Sequence, residues 1–534
     1  MPRIVIDNRE IDAEPGETIL DAARRLGIAI PTLCHLAGHP AGTSCMVCVV
    51  RVNGAERLVP ACATKVADGM VVESDADDVR AARRAALELL LSDHVGDCEA
   101  PCRAACPAHM DIPQMIRQIT AGAMADAIKT VKRHIALPAV LGRICPAPCE
   151  KACRRGAVDK PVSICLLKRY AADIDLGSGR PFLPSCSQRS GRKVAIIGAG
   201  PAGLAAAWHL LKDGHSCTIF DDRGEPGGML RSIGDVRLPA AVLDSEIDAV
   251  MRLGADCKLR TRVGREIRFD ELRAAFDAVL IAVGQVQKAD AAAFGIEYGD
   301  KGLRVDRHTL QTSTPGVFAA GSAVTPSRLA VRAVADGRAA TISISQYLAG
   351  AHVTGEPHRF TVHAGKLGEA EMSQFAAGLA ADGRTQPSGG AAAGFTTAEA
   401  LREASRCLHC DCRKKDACKL RDHAGEYNAR PGAHKGERRS FEQDASHPSV
   451  IYEPGKCISC GICVRITAAA NEPLGLAFTG RGFGVRVAVP FGRPLAEGLV
   501  KVARECVLAC PTGALAFKDG ACAPPSGKDY EKEE

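Results

Sequence analysis

The placement of cysteine constrains this chain more than any other feature. Of 534 residues, 24 are cysteine, gathered in four bursts: 34 to 62, 98 to 165, 407 to 418 and 457 to 510. The first residues, Met1-Pro-Arg-Ile-Val-Ile-Asp7, lack the apolar core of a secretory signal. The expectation is a cytoplasmic protein with reduced thiols, and thiols in that number then point to metal rather than to disulfides. No apolar run is long enough to span a bilayer, so no membrane segment is expected. Basic and acidic residues, 68 and 62, are well mixed, which offers no basic face to a nucleic acid.

Between the second and third bursts only Cys186, Cys217 and Cys257 occur. That stretch alternates β-rich runs, glycine turns and amphipathic helices, the pattern of an α/β domain. Gly, Ser and Pro mark a linker over 177–192, and a low-complexity run, Pro387-Ser-Gly-Gly-Ala-Ala-Ala-Gly394, marks another. The expected segments are 1–78, 79–180, 190–350, a linker over 351–396, then 397–440, 441–522 and a disordered tail over 523–534. The fold class is multidomain, α+β and α/β.

In the first segment, Ile4-Val-Ile6 and Val49-Val-Arg-Val52 read as strands, and Thr18–Leu26 as a helix with apolar residues at 19, 20, 23 and 26. Cys34, Cys45, Cys48 and Cys62 sit on loops, where four soft thiolates suit a [2Fe–2S] cluster, with a zinc knuckle or buried thiols as alternatives. This segment resembles the plant-type ferredoxin domain that opens the cluster-rich subunits of NADH dehydrogenases, formate dehydrogenases and iron hydrogenases. Leu58-Val-Pro-Ala-Cys62-Ala-Thr64 matches its closing stretch, and the resemblance implies a β-grasp fold.

The second segment opens with a helical pattern over Val79–Leu91. It carries Cys98, Cys102, Cys106, Cys145, Cys149, Cys153 and Cys165. Cys106-Pro-Ala-His-Met-Asp-Ile-Pro113 and Gly142-Arg-Ile-Cys-Pro-Ala-Pro-Cys-Glu150 resemble the N-terminal domain of the glutamate synthase small subunit and of dihydropyrimidine dehydrogenase. That resemblance implies an α-helical domain with two [4Fe–4S] clusters. One would be held by Cys98, Cys102 and Cys153, the other by Cys106, Cys145 and Cys149. The latter's fourth position aligns with Lys168, which cannot ligate as an ammonium. Cys165, three residues earlier, shares its face if the segment is helical, and is assigned as the ligand, with a buried free thiol as the alternative. For the former, Leu89-Leu-Leu-Ser-Asp-His94-x3-Cys98 resembles the His-ligated cluster of the large soluble subunit of NADH dehydrogenase, which implies His94, with a capping or surface histidine as the alternative.

In the third segment, Lys193-Val-Ala-Ile-Ile-Gly198-x-Gly200-x-x-Gly203 follows a linker and opens a helix, and Asp221 closes the next strand. The glycines bring pyrophosphate to the helix N-terminus, and the carboxylate takes ribose hydroxyls. Glu225-Pro-Gly227-Gly228-Met229-Leu and Thr314-Pro-Gly-Val-Phe-Ala-Ala-Gly321 resemble the glutamate synthase small-subunit family, which implies FAD. Two departures stand out. Asp277–Gly284 is followed almost at once by Leu303–Asp306, which leaves no room for the family's second, NADPH-binding domain. Ser322 stands where the family has an acid that contacts FAD, which keeps a flavin-free structural domain as the alternative.

The last bursts hold Cys407, Cys410, Cys412 and Cys418, suited to a further [4Fe–4S] cluster or to zinc. Cys457-x2-Cys460-x2-Cys463 and Cys506-x3-Cys510-Pro511 resemble a bacterial two-cluster ferredoxin. One cluster keeps its ligands, Cys457, Cys460, Cys463 and Cys510. The other is expected absent, because Thr467, Val500 and Ala503 replace cysteines, which makes Cys506 a buried thiol. The inventory is FAD, one [2Fe–2S] and four [4Fe–4S] clusters, about 18 irons. Cys186, Cys217, Cys257, Cys506 and Cys522 are left over.

With no segment for substrate chemistry, the expectation is an electron-transfer subunit of a larger oxidoreductase. Its partners would be an NADH dehydrogenase-like flavin subunit and a terminal catalytic subunit of the formate dehydrogenase, hydrogenase or reductase kind. A self-sufficient NAD(P)H-dependent reductase and a scaffold with a vestigial flavin fold are the alternatives.

Overall fold

The computed structural model describes residues 1–377, 379, 383–434 and 436–518; Cys522 and the tail 523–534 lie outside the described residues. The chain folds as two compact units, each assembled from separate stretches. Among the described residues, one takes in 1–99, 359–377 and those between 410 and 518, the other 100–358 and those between 379 and 409.

The first unit begins with a five-stranded sheet built from β1 (Arg3–Ile6), β2 (Arg9–Asp12), β3 (Val49–Val52), β4 (Val59–Pro60) and β5 (Val71–Glu73), in the order β2-β1-β5-β3-β4. β1 runs antiparallel to β2 and parallel to β5. Alternation turns Ile4 and Ile6 inward, onto Ile19, Leu20 and Ala23 of the helix Ile19–Arg25. That helix starts at a capping box, in which Thr18 accepts from the Asp21 amide and the Asp21 side chain reaches back. One helix laid on a mixed sheet is the expected β-grasp.

The helix Asp77–Ser92 buries Val79, Arg83, Leu87 and Leu91 along one stripe at four-residue spacing. Arg83 is fully buried because its fork is satisfied by the Val49 carbonyl (2.9 Å) and the Tyr427 hydroxyl (2.9 Å). Further on, strands Val450–Tyr452 and Leu515–Phe517 pair antiparallel, and helices Ile462–Ala469 and Ala503–Ala509 pack together, a ferredoxin-like arrangement.

The second unit starts with helices Pro101–Ala105, Ile112–Thr120, Met124–Lys132, Pro138–Ile144, Pro148–Lys151 and Ile164–Gly177. Its sheet holds β6 (Lys193–Ile197), β7 (Ser216–Phe220), β8 (Asp256–Lys258), β9 (Ala278–Ile281) and β10 (Val317–Ala319), in the order β10-β9-β6-β7-β8, all parallel. Such strands are buried on both faces, which accounts for the unbroken apolar runs Val194–Ile197 and Ala278–Ile281. Helices Pro201–Lys212 and Ala330–Leu348 pack against each other. Between β9 and β10, which are neighbours in the sheet, residues 282–316 carry only the helix Lys288–Ala293 and two isolated bridges. No helix among the described residues is long and apolar enough to cross a membrane.

Candidate functional site

The cysteines are brought together in sets. On the β-grasp, Cys34, Cys45, Cys48 and Cys62 are all buried, and the Cys48 and Cys62 sulfurs lie 3.4 Å apart. Contact with Cys45 holds the Cys34 thiol down at about 5, and contact with Cys62 holds Cys48 at about 7. In each pair, contact with its neighbour favours the thiolate of one member, the form that binds metal. Near the far end of the chain, Cys457, Cys460, Cys463 and Cys510 face one another across a single cavity, under Tyr452 and Leu515. Cys506 is fully buried beside the Cys463 carbonyl.

In the second unit, Cys106, Cys145, Cys149 and Cys165 line one cavity together with Lys168. Cys165 lies close enough to Cys145 to hold that thiol at about 6. Lys168 is 5% exposed. Burial works against its charge, but the surrounding thiols outweigh burial and keep it an ammonium.

The remaining cysteines divide between the units. Cys102 and Cys153 pack against the core of the second unit, as does Cys407. The Arg155 guanidinium ties the last two together by donating to the Arg406 carbonyl (3.2 Å). In the first unit Cys98 lies with Cys412 and Cys418. Burial, then the neighbouring thiols of Cys412 and Cys98, push the Cys418 thiol up, and Cys98 and Cys418 share one apolar core. Peptide N–H groups point at sulfur in three of these sets: Val362 to Cys98 (3.4 Å), His409 to Cys407 (3.5 Å) and Ser459 to Cys457 (3.4 Å). His94 is half-buried, and its Nδ1 is shut off from solvent with no hydrogen-bond partner. Burial, with Lys456 alongside, holds this imidazole neutral, at about 4, the form that binds metal. Among the described residues no three or more of His, Cys, Asp and Glu close on the spacing of a single metal ion. Two of the sets, Cys106 with Cys145, Cys149 and Cys165, and Cys457 with Cys460, Cys463 and Cys510, instead stand around a cavity, as ligands of a cage do.

The dinucleotide fingerprint lies where β6 meets the helix Pro201–Lys212. Gly203 is required by packing, because a Cβ there would sit 1.9 Å from the Gly198 carbonyl oxygen. Gly198 adopts φ +110°, open only to glycine at low cost. A Cβ on Gly200 would meet nothing within 4 Å, so the helix N-terminus stands clear for a phosphate. A cavity of about 430 Å³ opens beside it, lined by Gly198, Asp221, Asp222, Thr261, Arg262, Arg265 and Gln285. Asp221 spends one lone pair of each oxygen on the amides of Ala199 (2.6 Å) and Arg223 (2.9 Å) and keeps the others for a ligand.

Gly227 and Gly228 flank the turn, with Gly227 N–H on the Ala199 carbonyl and a Gly228 Cβ excluded by Gly200 Cα at 2.9 Å. Met229 is 66% exposed. Ser322 donates to the Ser327 carbonyl (3.3 Å), and the amide of its neighbour Gly321 meets Asp336, a half-buried acid from the helix Ala330–Leu348. Thr261, Arg262, Arg265 and Asp336 escaped sequence reading. The first three follow β8 at the carboxyl edge of a parallel sheet, where such folds bind ligands, and that position is the signal that could have found them.

Three stretches match known families: residues 2–77 a 2Fe–2S iron–sulfur cluster binding domain, residues 91–179 the 4Fe–4S cluster domain II of dihydropyrimidine dehydrogenase, and residues 196–256 an NAD(P)-binding Rossmann-like domain. Among curated proteins, the chain is similar to the NADP(+)-dependent formate dehydrogenase subunit beta of Moorella thermoacetica. The two are 42% identical over 207 residues, 35% of this chain and 29% of that protein. It is also similar to the NADPH–Fe(3+) oxidoreductase subunit beta of Geobacter sulfurreducens, 40% identical over 209 residues, 38% and 30% of the two chains. The glutamate synthase [NADPH] small chain of Bacillus subtilis is 33% identical over 212 residues, 39% and 43%. The chain thus spans under a third of the first two relatives and under half of the third. It carries [2Fe–2S] and [4Fe–4S] domains and a Rossmann-like domain, and it is related to iron–sulfur oxidoreductase subunits.

Proposed function

We propose that the chain is a cytoplasmic electron-relay subunit of a larger oxidoreductase, holding FAD, one [2Fe–2S] cluster and four [4Fe–4S] clusters. The carrying observation is one apolar core in the first unit that takes in Cys34 and Cys45, Cys98 and Cys418, and Cys460. Three cysteine sets therefore abut, with only packed side chains between them. Arg465, on the helix that follows the cysteine loop 457–463, donates to the Cys34 carbonyl (3.0 Å) and fixes that contact. Such an arrangement suits the passage of electrons rather than the binding of a substrate.

Cys34, Cys45, Cys48 and Cys62 would hold the [2Fe–2S] cluster. Cys106, Cys145, Cys149 and Cys165 would hold one [4Fe–4S] cluster, and Cys457, Cys460, Cys463 and Cys510 another. The remaining two draw on His94, Cys98, Cys102, Cys153, Cys407, Cys410, Cys412 and Cys418. Gly198, Gly200, Gly203 and Asp221 would seat FAD, with Gly227, Gly228, Met229, Gly321 and Ser322 along its length. When bound, FAD exchanges electrons singly or in pairs and the clusters singly. The protein's own part is to place these groups, exclude water from the thiols and set the charge around them. The partners would be a flavin subunit like that of NADH dehydrogenase and a terminal catalytic subunit; that the relatives are subunits of a formate dehydrogenase and of an NADPH–Fe(3+) oxidoreductase supports a multisubunit assembly.

Assembled anaerobically, the full chain is expected to bind about 18 irons with matching sulfide and stoichiometric FAD. Iron limited to about two per chain, without flavin, would reject the relay. Lys168 offers a finer test. Its charge faces Cys106, Cys145, Cys149 and Cys165, and net charge is one of the terms that set a cluster potential. Lys168→Met is expected to lower the midpoint potential of one [4Fe–4S] signal in an EPR redox titration and leave the others in place. If every midpoint stays where it was, the ammonium does not face a cluster.

A further inference from the structure

Read along the chain, Cys98 belongs with Cys102 and Cys153, and Cys412 and Cys418 with Cys407 and Cys410. We propose a different partition: His94, Cys98, Cys412 and Cys418 hold one [4Fe–4S] cluster, its ligands drawn from both sides of the inserted second unit. The proposal rests on the relay reading and deepens it.

The backbone sets the register. Asp97 and Asp411 pair as parallel neighbours, and the Cys412 amide donates to the Asp97 carbonyl (2.9 Å). The next residue on one strand is Cys98 and on the other Cys412, so the two thiols arise side by side. A third stretch locks Cys98 in place. Its amide donates to the Val362 carbonyl (3.1 Å), and the Val362 amide points back at its sulfur (3.4 Å). N–H donors aimed at sulfur are what a cluster-bound thiolate takes up. Cys418 opens the helix Lys419–Glu426 and packs into the same core as Cys98.

His94 supplies the fourth donor. Buried ring nitrogens are normally paired, and its Nδ1 is not. Lys456 is the common neighbour of His94, Cys98 and Cys412, and it is itself buried against Glu453. Two glycines make the room. A Cβ on Gly513 would lie 2.2 Å from the Cys412 sulfur, and one on Gly96 would lie 2.5 Å from Lys456 Cε.

The first unit breaks off after residue 99 and takes up its last stretch at residue 410. Both break points lie within two residues of a proposed ligand. A cluster bound here therefore staples the ends of the insertion, and its assembly is linked to closure of the first unit.

The test uses the full chain, assembled anaerobically and reduced with dithionite. Cys98→Ser, Cys412→Ser and Cys418→Ser are each expected to lose about four irons and the same EPR signal, and Cys102→Ser a different one. His94→Cys keeps the iron, loses the nitrogen hyperfine coupling and lowers that cluster's potential. Cys98→Ser and Cys102→Ser erasing one signal while Cys412→Ser erases another would overturn the partition. Should the serine variants not fold, Cys412→His and Cys102→His keep a donor in place. The first is expected to shift the nitrogen-coupled signal and the second to spare it; the reverse overturns the proposal. The iron content of the unaltered chain tests the relay reading separately.

Discussion

NADH and NADPH, added without oxygen to the isolated chain, are expected to leave its flavin and cluster absorbance unbleached, whereas dithionite bleaches both. The expectation follows from the sheet. Resemblance to the glutamate synthase small-subunit family implies a second dinucleotide domain between two FAD-binding halves. Here β9 and β10 are hydrogen-bonded neighbours. Residues 282–316 between them hold the helix Lys288–Ala293 and no paired strands beyond isolated bridges. A nucleotide-binding βαβ unit needs about 30 residues for a single crossover, and a whole domain several of them. Electrons from a nicotinamide would then have to enter through a partner subunit. Prompt bleaching by NADPH would sink this account. It would mean that the cleft at Gly198, which matches an NAD(P)-binding family, takes the nicotinamide nucleotide itself, and the self-sufficient reductase would become the better reading. Adding a diaphorase subunit that oxidises NADH should restore bleaching if the relay account is correct.

Much of this was legible because the chemistry sits in short local motifs. The strand–glycine turn–helix at 193–212, with Asp221 one strand on, lies where its spacing put it, because turn geometry and helix packing are decided within a few residues. The same holds for Cys457–Cys463, whose set of thiols around the cavity takes only Cys510 from elsewhere. What sequence could not convey is pairing at long range. Cys98 lies four residues before Cys102, as Cys410 lies two before Cys412, and local spacing joins each pair. The chain nevertheless sends the members of the first pair into different units. The backbone bridge from Asp97 to Asp411 leaves no trace in residue type. Nor does composition announce that Val362, from a stretch that reads as linker, donates to the Cys98 sulfur. Lys168 shows the converse. As a residue type it argues against ligation, and only its burial among four thiols gives it a role.

Arg406→Met is expected to destabilise the second unit by about 3–5 kcal/mol, the cost of leaving a buried partner charge uncompensated. Arg406 is completely buried and sits between two acids. Its Nη1 donates to Glu403 Oε1 (2.8 Å), itself completely buried, and its Nη2 to Asp159 Oδ1 (2.9 Å) and to the Lys160 carbonyl (2.7 Å). Asp159 is also gripped by Arg155, which, with Arg406, holds its carboxyl well below the usual range. Glu403 in turn accepts the amides of Ser163 and Thr385 (2.7 Å each). The lattice thus joins the loop after Cys153 to the residue before Cys407. Methionine fills much of the same volume, so the loss is of charge and hydrogen bonds rather than of packing. Denaturant unfolding of the full chain, followed by proteolytic release of fragments from 100–409, should place this unit's transition at clearly lower urea, with that of the first unit unmoved. Adding Glu403→Gln to Arg406→Met should recover part of the loss, because the stranded charge is then gone, although the single glutamine oxygen can keep only one of the two amide contacts. A single variant within about 0.5 kcal/mol of the parent, the range of ordinary surface substitutions, would show that water reaches Glu403 and that the lattice does not hold the two cysteine loops together.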